Sequence, residues 1–219
     1  MSTNSEFRIY PFIEKSLAEL GWDIRNPLKN ATGQVYTQNE ALHDKILKPL
    51  LGKSKPENIV KVKEDVFWVI EAKAEHKDIE AAISEAKEEY AAKINKSSAV
   101  KCLFVSGVAG SDNSTHFVET FYLSKKGKWQ RIKINSVDTT GFISRSQALY
   151  ILENDAANIE NQEIEEELFV IKANTINEIL HHGAINKKSR ARVIASLLLA
   201  IANDEYFRIS DDPTTLIED

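Results

Sequence analysis

Between residues 58 and 108 the chain changes its hydrophobic period twice, and this leaves little freedom of fold. Asn58–Lys63 and Val66–Ala72 are short runs rich in β-branched and aromatic residues, separated by Glu64-Asp65. They read as two strands joined by a turn. The next stretch, Lys77–Ile94, is charged but carries Ile79, Ala82, Ile83, Ala86, Tyr90 and Ile94 on a 3.6-residue stripe. That spacing predicts a helix with one buried face. Val100–Val108 is then a continuous apolar run, which suits a buried strand. Such a succession predicts an α/β fold in which a mixed sheet is flanked by helices.

The flanking segments add to this frame. In Phe12–Leu20 the residues Ile13, Leu17 and Leu20 share a helical face, and Gly21 ends the helix. Leu42, Ile46, Leu47 and Leu50 suggest a second short helix. Gly107, Gly110, Ser111, Asp112 and Asn113 read as a loop. Phe117–Leu123 and Trp129–Ile134 read as a hairpin around Lys125-Lys126-Gly127-Lys128. After about residue 145 two helical stretches are expected, near Glu163–His182 and Lys187–Asn203, before a polar tail, Ser210–Asp219. No internal repeat or low-complexity segment interrupts the chain.

Composition narrows the functional class. A length of 219 residues suits one mid-sized domain plus an appendage, or two small domains. The net charge of −5 argues against a protein that coats DNA, so any nucleic-acid contact must rely on a local patch or on another domain. Cys102 is the only cysteine and lies in an apolar run, which suits a reducing cytoplasm. Met1–Phe7 lacks the apolar core of a signal peptide, and no run approaches the length of a membrane span.

The chemistry concentrates in two places, Pro56-Glu57 and Ile70-Glu71-Ala72-Lys73. Strand residues i and i+2 share a face, so Glu71 and Lys73 project together. A strict two-residue turn at Glu64-Asp65 would set Glu57 opposite Ala72, on the wrong face. A three-residue loop or a single bulge sets it opposite Glu71, and that is the register expected. Mg2+ prefers oxygen ligands and commonly takes only one or two protein carboxylates. Glu57, Glu71 and the Ala72 carbonyl are therefore candidate metal ligands, with Mn2+ as an alternative ion. Lys73 is the candidate group for holding a water and offsetting charge at a phosphoryl centre. Without such a site, the same residues would be solvated charges on a surface strand.

Glu14 on the first helix, Pro56-Glu57, Ile70-Glu71-Ala72-Lys73 and the helix bearing Ala86 and Tyr90 together resemble the PD-(D/E)XK nuclease superfamily. The closer likeness is to the nuclease region of type I restriction endonucleases and of fused type IIG restriction–modification enzymes, over roughly residues 6–135. The resemblance implies a restriction-endonuclease-like sheet and Mg2+-dependent hydrolysis of double-stranded DNA. It assigns Glu57, Glu71 and Lys73 to the motif positions and makes Glu14 the helix acid near the metal. It departs at Glu57, where the family usually has Asp. It departs again at the following helix, where the family's Gln-x-x-x-Tyr is reduced to Tyr90 with Ala86 four residues earlier and Glu85 beside it.

Thr175–His181 and Arg190–Ala202 resemble the helical connector that precedes an N6-adenine methyltransferase domain. Residues 1–145 are thus expected to form the nuclease-like domain, and residues 146–219 a connector to a missing methyltransferase. S-adenosylmethionine would bind only in that absent domain, since no Asn-Pro-Pro-Tyr motif occurs here. Expected partners are double-stranded DNA, methyltransferase and specificity domains or subunits, and a second copy transiently on DNA; no membrane is expected. Two other readings stay open. One is a catalytically silent module that holds DNA or docks domains, and the other is a stand-alone nuclease of repair or mobile-element defence.

Other features carry less chemistry. His181-His182 have no ligand spacing and read as a surface pair. Gly107–Gly110 lacks the Gly-Lys-Ser/Thr ending of a phosphate loop. Lys125, Lys126 and Lys128 read first as a charged turn and second as a contact to a DNA backbone. Tyr90 lies on the apolar stripe, so packing is its default role. Lys187, Lys188, Arg190 and Arg192 stand near a helix start, where positive charge is poorly placed, which favours a partner.

Overall fold

The computed structural model describes residues 9–110, 116–160, 176, 180, 186 and 189–196. The chain divides into two compact units, Met1–Glu163 and Ile164–Asp219. The division expected after residue 145 therefore falls inside the first unit. The reason is packing: α6 (Arg145–Asn154) buries Ala148 and Ile151 in the same core cluster as Ile13, Trp68 and Phe104.

The first unit is mixed α/β, as the periodicity predicts. Its six-stranded sheet has the order β1 (Val35–Thr37), β2 (Asn58–Lys63), β3 (Val66–Lys73), β4 (Lys101–Ala109), β5 (Phe117–Leu123) and β6 (Trp129–Arg131). Neighbours are antiparallel except β3 and β4, which are parallel. A parallel pair needs a crossover, and the helical stretch between residues 76 and 94 supplies it. β3 is buried through Ala72, which accounts for its unbroken apolar run.

Helices cover both faces. On one, α1 (Tyr10–Glu19) and α6 pack against Trp68, Ile70, Ala72 and Phe104. On the other, α3 (Leu47–Leu51) and the crossover helix pack against Ile59, Phe67, Val69 and Val105. Gly21 ends α1 with a φ of 80°, in the role the sequence assigns it. The single helix expected around Leu42–Leu50 is two, α2 (Gln38–Ala41) and α3, since the capping box of Thr37 and Glu40 starts a separate turn.

Three further differences bear on the site. The crossover begins with a 3-10 turn at His76–Asp78 and continues as α4 (Ile79–Ser84), a π-helical segment over Glu85–Ala91 and α5 (Ala92–Ile94). Gly107, which falls both in the expected strand Val100–Val108 and in the loop expected after it, lies inside β4, where a Cβ would come within 2.6 Å of Ile83 Cγ1. The helix therefore rides directly on the strand there, and the lack of a side chain at Gly107 permits the close approach. Ser111, Asp112 and Asn113 lie outside the described residues. The strand expected over Trp129–Ile134 is split, its end forming β7 (Lys133–Ile134) in a second small sheet with β8 (Val137–Asp138) and β9 (Asn158–Ile159).

In the second unit Ile176, Leu180 and residues 189–196 are helical. Asn186 Oδ1 accepts from the Ser189 N–H at 3.0 Å at the start of the latter stretch. The remainder of the two helices expected there, with His181, His182, Lys187 and Lys188, lies outside the described residues. Among the described residues no helix is long and apolar enough to cross a membrane.

Candidate active site

The hairpin of β2 and β3 sets the first part of the site. Near the turn Lys63 pairs with Val66, while further along Asn58 pairs with Ile70, the shift coming from a bulge between Lys61 and Lys63. One step beyond Asn58 and Ile70 brings Glu57 opposite Glu71. The expected register is thus found, with its bulge at the turn end of the hairpin and not beside the acids. The Glu57 N–H donates to Glu71 Oε2 at 3.4 Å. Glu57 is 6% exposed and Glu71 3%.

Alternation along β3 assigns the faces. Trp68, Ile70 and Ala72 belong to the core under α1, and Phe67 and Val69 to the core under the crossover helix. Glu71 and Lys73 therefore face the crossover helix. Lys73 Nζ donates to Glu71 Oε1 at 3.1 Å and to Glu85 Oε2 at 2.7 Å. The Tyr90 hydroxyl donates to the other Glu85 oxygen, Oε1, at 2.7 Å. On a regular α-helix, residues five apart point well away from each other. The π-helical segment realigns them, because its hydrogen bonds run from i to i+5. Glu85, and not Ala86 four residues before Tyr90, is consequently the partner of the tyrosine.

Gln38 enters from the first turn of α2 and donates from Nε2 to Glu57 Oε2 at 2.9 Å. Glu14 comes from α1, which packs on the opposite face of the sheet. It lines a cleft of about 300 Å³ together with Glu57, Tyr10, Gln38 and Lys55. Glu71 and Lys73 do not line that cleft. Of the four acids and bases singled out in the sequence, three are thus gathered on one hairpin, and Glu14 is near Glu57 alone.

The electrostatics follow from burial. Burial pushes the Glu71 carboxyl up to about 8; the Lys73 ammonium pulls it back in part, and Glu85 and Glu57 push it further. Burial works against the charged form of Lys73, yet the hydrogen bonds and charges of Glu85 and Glu71 outweigh it and raise its pKa. Burial and the bond to Glu85 hold the Tyr90 hydroxyl in its protonated form.

Glu57 and Glu71 present carboxylate oxygens, the donor chemistry that a hard divalent cation prefers. The Lys73 carbonyl accepts from the Gly110 N–H on the β4 side. Carbonyls alternate along a strand, so that of Ala72 faces the β2 edge. Across from it, two residues beyond the Asn58–Ile70 pair, stands Pro56, which has no N–H to give. Two carboxylates and one carbonyl suffice for Mg2+, which keeps several waters. Among the described residues no group of three or more His, Cys, Asp or Glu side chains forms a metal cage.

Sequence reasoning missed two participants. Gln38 lies 19 residues from Glu57 and has no motif to announce it. Glu85 is visible only as a misplaced polar residue next to Ala86, and the helix irregularity that uses it depends on packing. The exposed lysines of the 124–128 turn stay at the surface, the turn being tied by Lys125 N–H to Asp155 Oδ1 at 3.0 Å. No family model matches the chain, and no curated protein or solved structure matches it.

Proposed function

We propose that the six-stranded unit is the Mg2+-dependent endonuclease domain of a restriction–modification enzyme and hydrolyses phosphodiester bonds of double-stranded DNA. The observation that supports this reading is the setting of Glu57 and Glu71 opposite one another, with the Lys73 ammonium 3.1 Å from Glu71 on the same face. Glu57, Glu71 and the Ala72 carbonyl would hold the ion. When bound, Mg2+ supplies Lewis acidity at the phosphoryl oxygen and a water of lowered pKa. Burial raises the Glu71 carboxyl to about 8, so it would have to release a proton to serve as a ligand, and binding near neutral pH would release protons. Lys73 offsets negative charge at the phosphoryl group and orients the attacking water. Methyltransferase and specificity domains, with S-adenosylmethionine bound in the former, would complete the enzyme, and cutting both strands would call for two copies on DNA.

One observation favours a second reading, a silent scaffold of the same fold. Lys73 is bound by two carboxylates and Glu57 by Gln38, so these side chains are already paired within the protein. Plasmid cleavage with Mg2+ or Mn2+, read beside calorimetric titration of Mn2+, separates the two. A nuclease binds Mn2+ and cuts duplex DNA, and Glu71→Ala loses both, cleavage falling by about 10³-fold or more. Mn2+ binding at Glu71 without cleavage of any duplex supports the scaffold. Cleavage that persists in chelator rules out the site as drawn.

A further inference from the structure

Lys73 shares its ammonium between two carboxylates, and the shorter contact goes to Glu85, at 2.7 Å against 3.1 Å to Glu71. Three separate features of the chain keep Glu85 in that place. Tyr90 occupies Glu85 Oε1 and leaves Oε2 to the lysine. The π-helical segment over Glu85–Ala91 brings Tyr90 into line with Glu85. Gly107, the residue in register with Glu71 on β4, lets the helix backbone settle on the strand, since a Cβ there would also meet Ile79 O at 3.2 Å.

Without Glu85, the carboxylate left to the Lys73 ammonium is Glu71. An ammonium is a compact charge with three donors and no acceptor, so it would then compete with a cation for the Glu71 oxygens. We infer that Glu85 is a positioning residue whose role is to draw the Lys73 ammonium off Glu71, leaving the Glu71 carboxylate to a divalent cation. The inference rests on the metal site proposed above. Glu85 acts here through Lys73 and makes no contact with the ion. The pairing also keeps Lys73 beside the site, because Nζ stays within reach of Glu71 while Glu85 holds it.

Mn2+ titrations of the whole chain in a double-mutant cycle test this. Glu85→Gln is expected to weaken Mn2+ binding by about 10- to 100-fold, the range for partners that orient a metal ligand. With Lys73→Met already present, the same substitution should change affinity by less than about threefold, because there is no ammonium left to divert. Tyr90→Phe keeps every charge and serves if Glu85→Gln folds poorly; it should weaken binding less, and that effect too should vanish beside Lys73→Met. An equal loss with and without Lys73 means that Glu85 acts on the cation itself, which overturns the inference and leaves the metal site standing. An unchanged affinity in Glu85→Gln with Lys73 present overturns it likewise. No Mn2+ uptake by the unaltered protein removes the site and the inference together.

Discussion

Two polar clusters lie against β3, on opposite faces and three residues apart. The one at Trp68 is neutral. The Trp68 indole N–H donates to Ser106 Oγ at 3.0 Å, Ser106 Oγ lies 2.8 Å from Thr120 Oγ1, and Thr120 Oγ1 donates to the Gly141 carbonyl at 3.1 Å. Each donor has one acceptor, so the chain runs in a single direction and ties β3, β4, β5 and the Gly141 segment together. At Glu71 one ammonium, that of Lys73, is shared by two carboxylates, Glu71 and Glu85, and Glu57 adds its charge to that of Glu71. Burial there is uneven, Glu71 being 3% exposed while the Lys73 and Glu85 side chains are 21% and 31% exposed, and burial of Glu71, with the charges of Glu85 and Glu57, raises its affinity for a proton. A buried polar network can pair neutral donors with neutral acceptors, or set charges against one another. The two clusters represent one of each on a single strand.

Acidity distinguishes them most strongly. The folded Glu71 carboxyl titrates near 8 against an ordinary value of 4.5. A raised folded pKa stabilises fully below the unfolded value and loses that stabilisation as pH rises through the folded one. Stability without metal should therefore fall between about pH 4.5 and pH 8, by at most about 1.4 kcal/mol per unit. Urea unfolding at several pH values should show this fall, and Glu71→Gln should flatten it. A slope unchanged by that substitution would mean that the charged cluster is no more strained than the neutral one.

Neighbouring substitutions on β4 sharpen the contrast. Ser106→Ala leaves the Trp68 N–H without its acceptor and should cost about 1–3 kcal/mol while leaving Mn2+ affinity alone. Gly107→Ala forces the crossover helix off the strand at about 1–3 kcal/mol, and it should weaken Mn2+ binding as Glu85 moves with the helix. If both variants altered Mn2+ binding equally, the two faces would be coupled and not separate. The smallest effect is expected at the surface turn, where Lys126→Ala should stay within about 0.5 kcal/mol in thermal unfolding.

The hairpin was the most legible part of the sequence. Composition gives its two strands, and the parity of residues across Glu64-Asp65 gives the register that joins Glu57 to Glu71. Both rest on local rules, namely a period of two and a turn with one bulge. The helix at 79–94 was legible as a helix but not in its pitch. An apolar stripe states which face is buried and carries no sign of the hydrogen-bond spacing, so the π-helical segment over Glu85–Ala91 leaves no mark in it. Gly107 belongs by composition both to the apolar run Val100–Val108 and to the loop signal that follows it, and only the packing of Ile79 and Ile83 against it decides for the strand. Glu14 stands on a helix whose pattern states which face is buried without stating which face of the sheet receives it, and its meeting with Glu57 at one cleft comes from packing. Gln38 reaches Glu57 through tertiary packing alone, and the division of the chain after residue 145 could not anticipate that Ala148 and Ile151 complete the first core.

The local character of the hairpin also bears on how the molecule assembles. Glu57 and Glu71 are 14 residues apart, and Lys73 follows within the same hairpin, whereas Glu85 arrives only with the crossover helix. Hairpins close in about 1–10 μs, sooner than a parallel strand pair that must wait for its connection. The two acids therefore meet early in folding, while water can still reach them and before the helix seals one side. Protonation at that moment would relieve the repulsion between the two carboxylates, so the acidity that suits Glu71 in the finished fold also favours the closing of its hairpin.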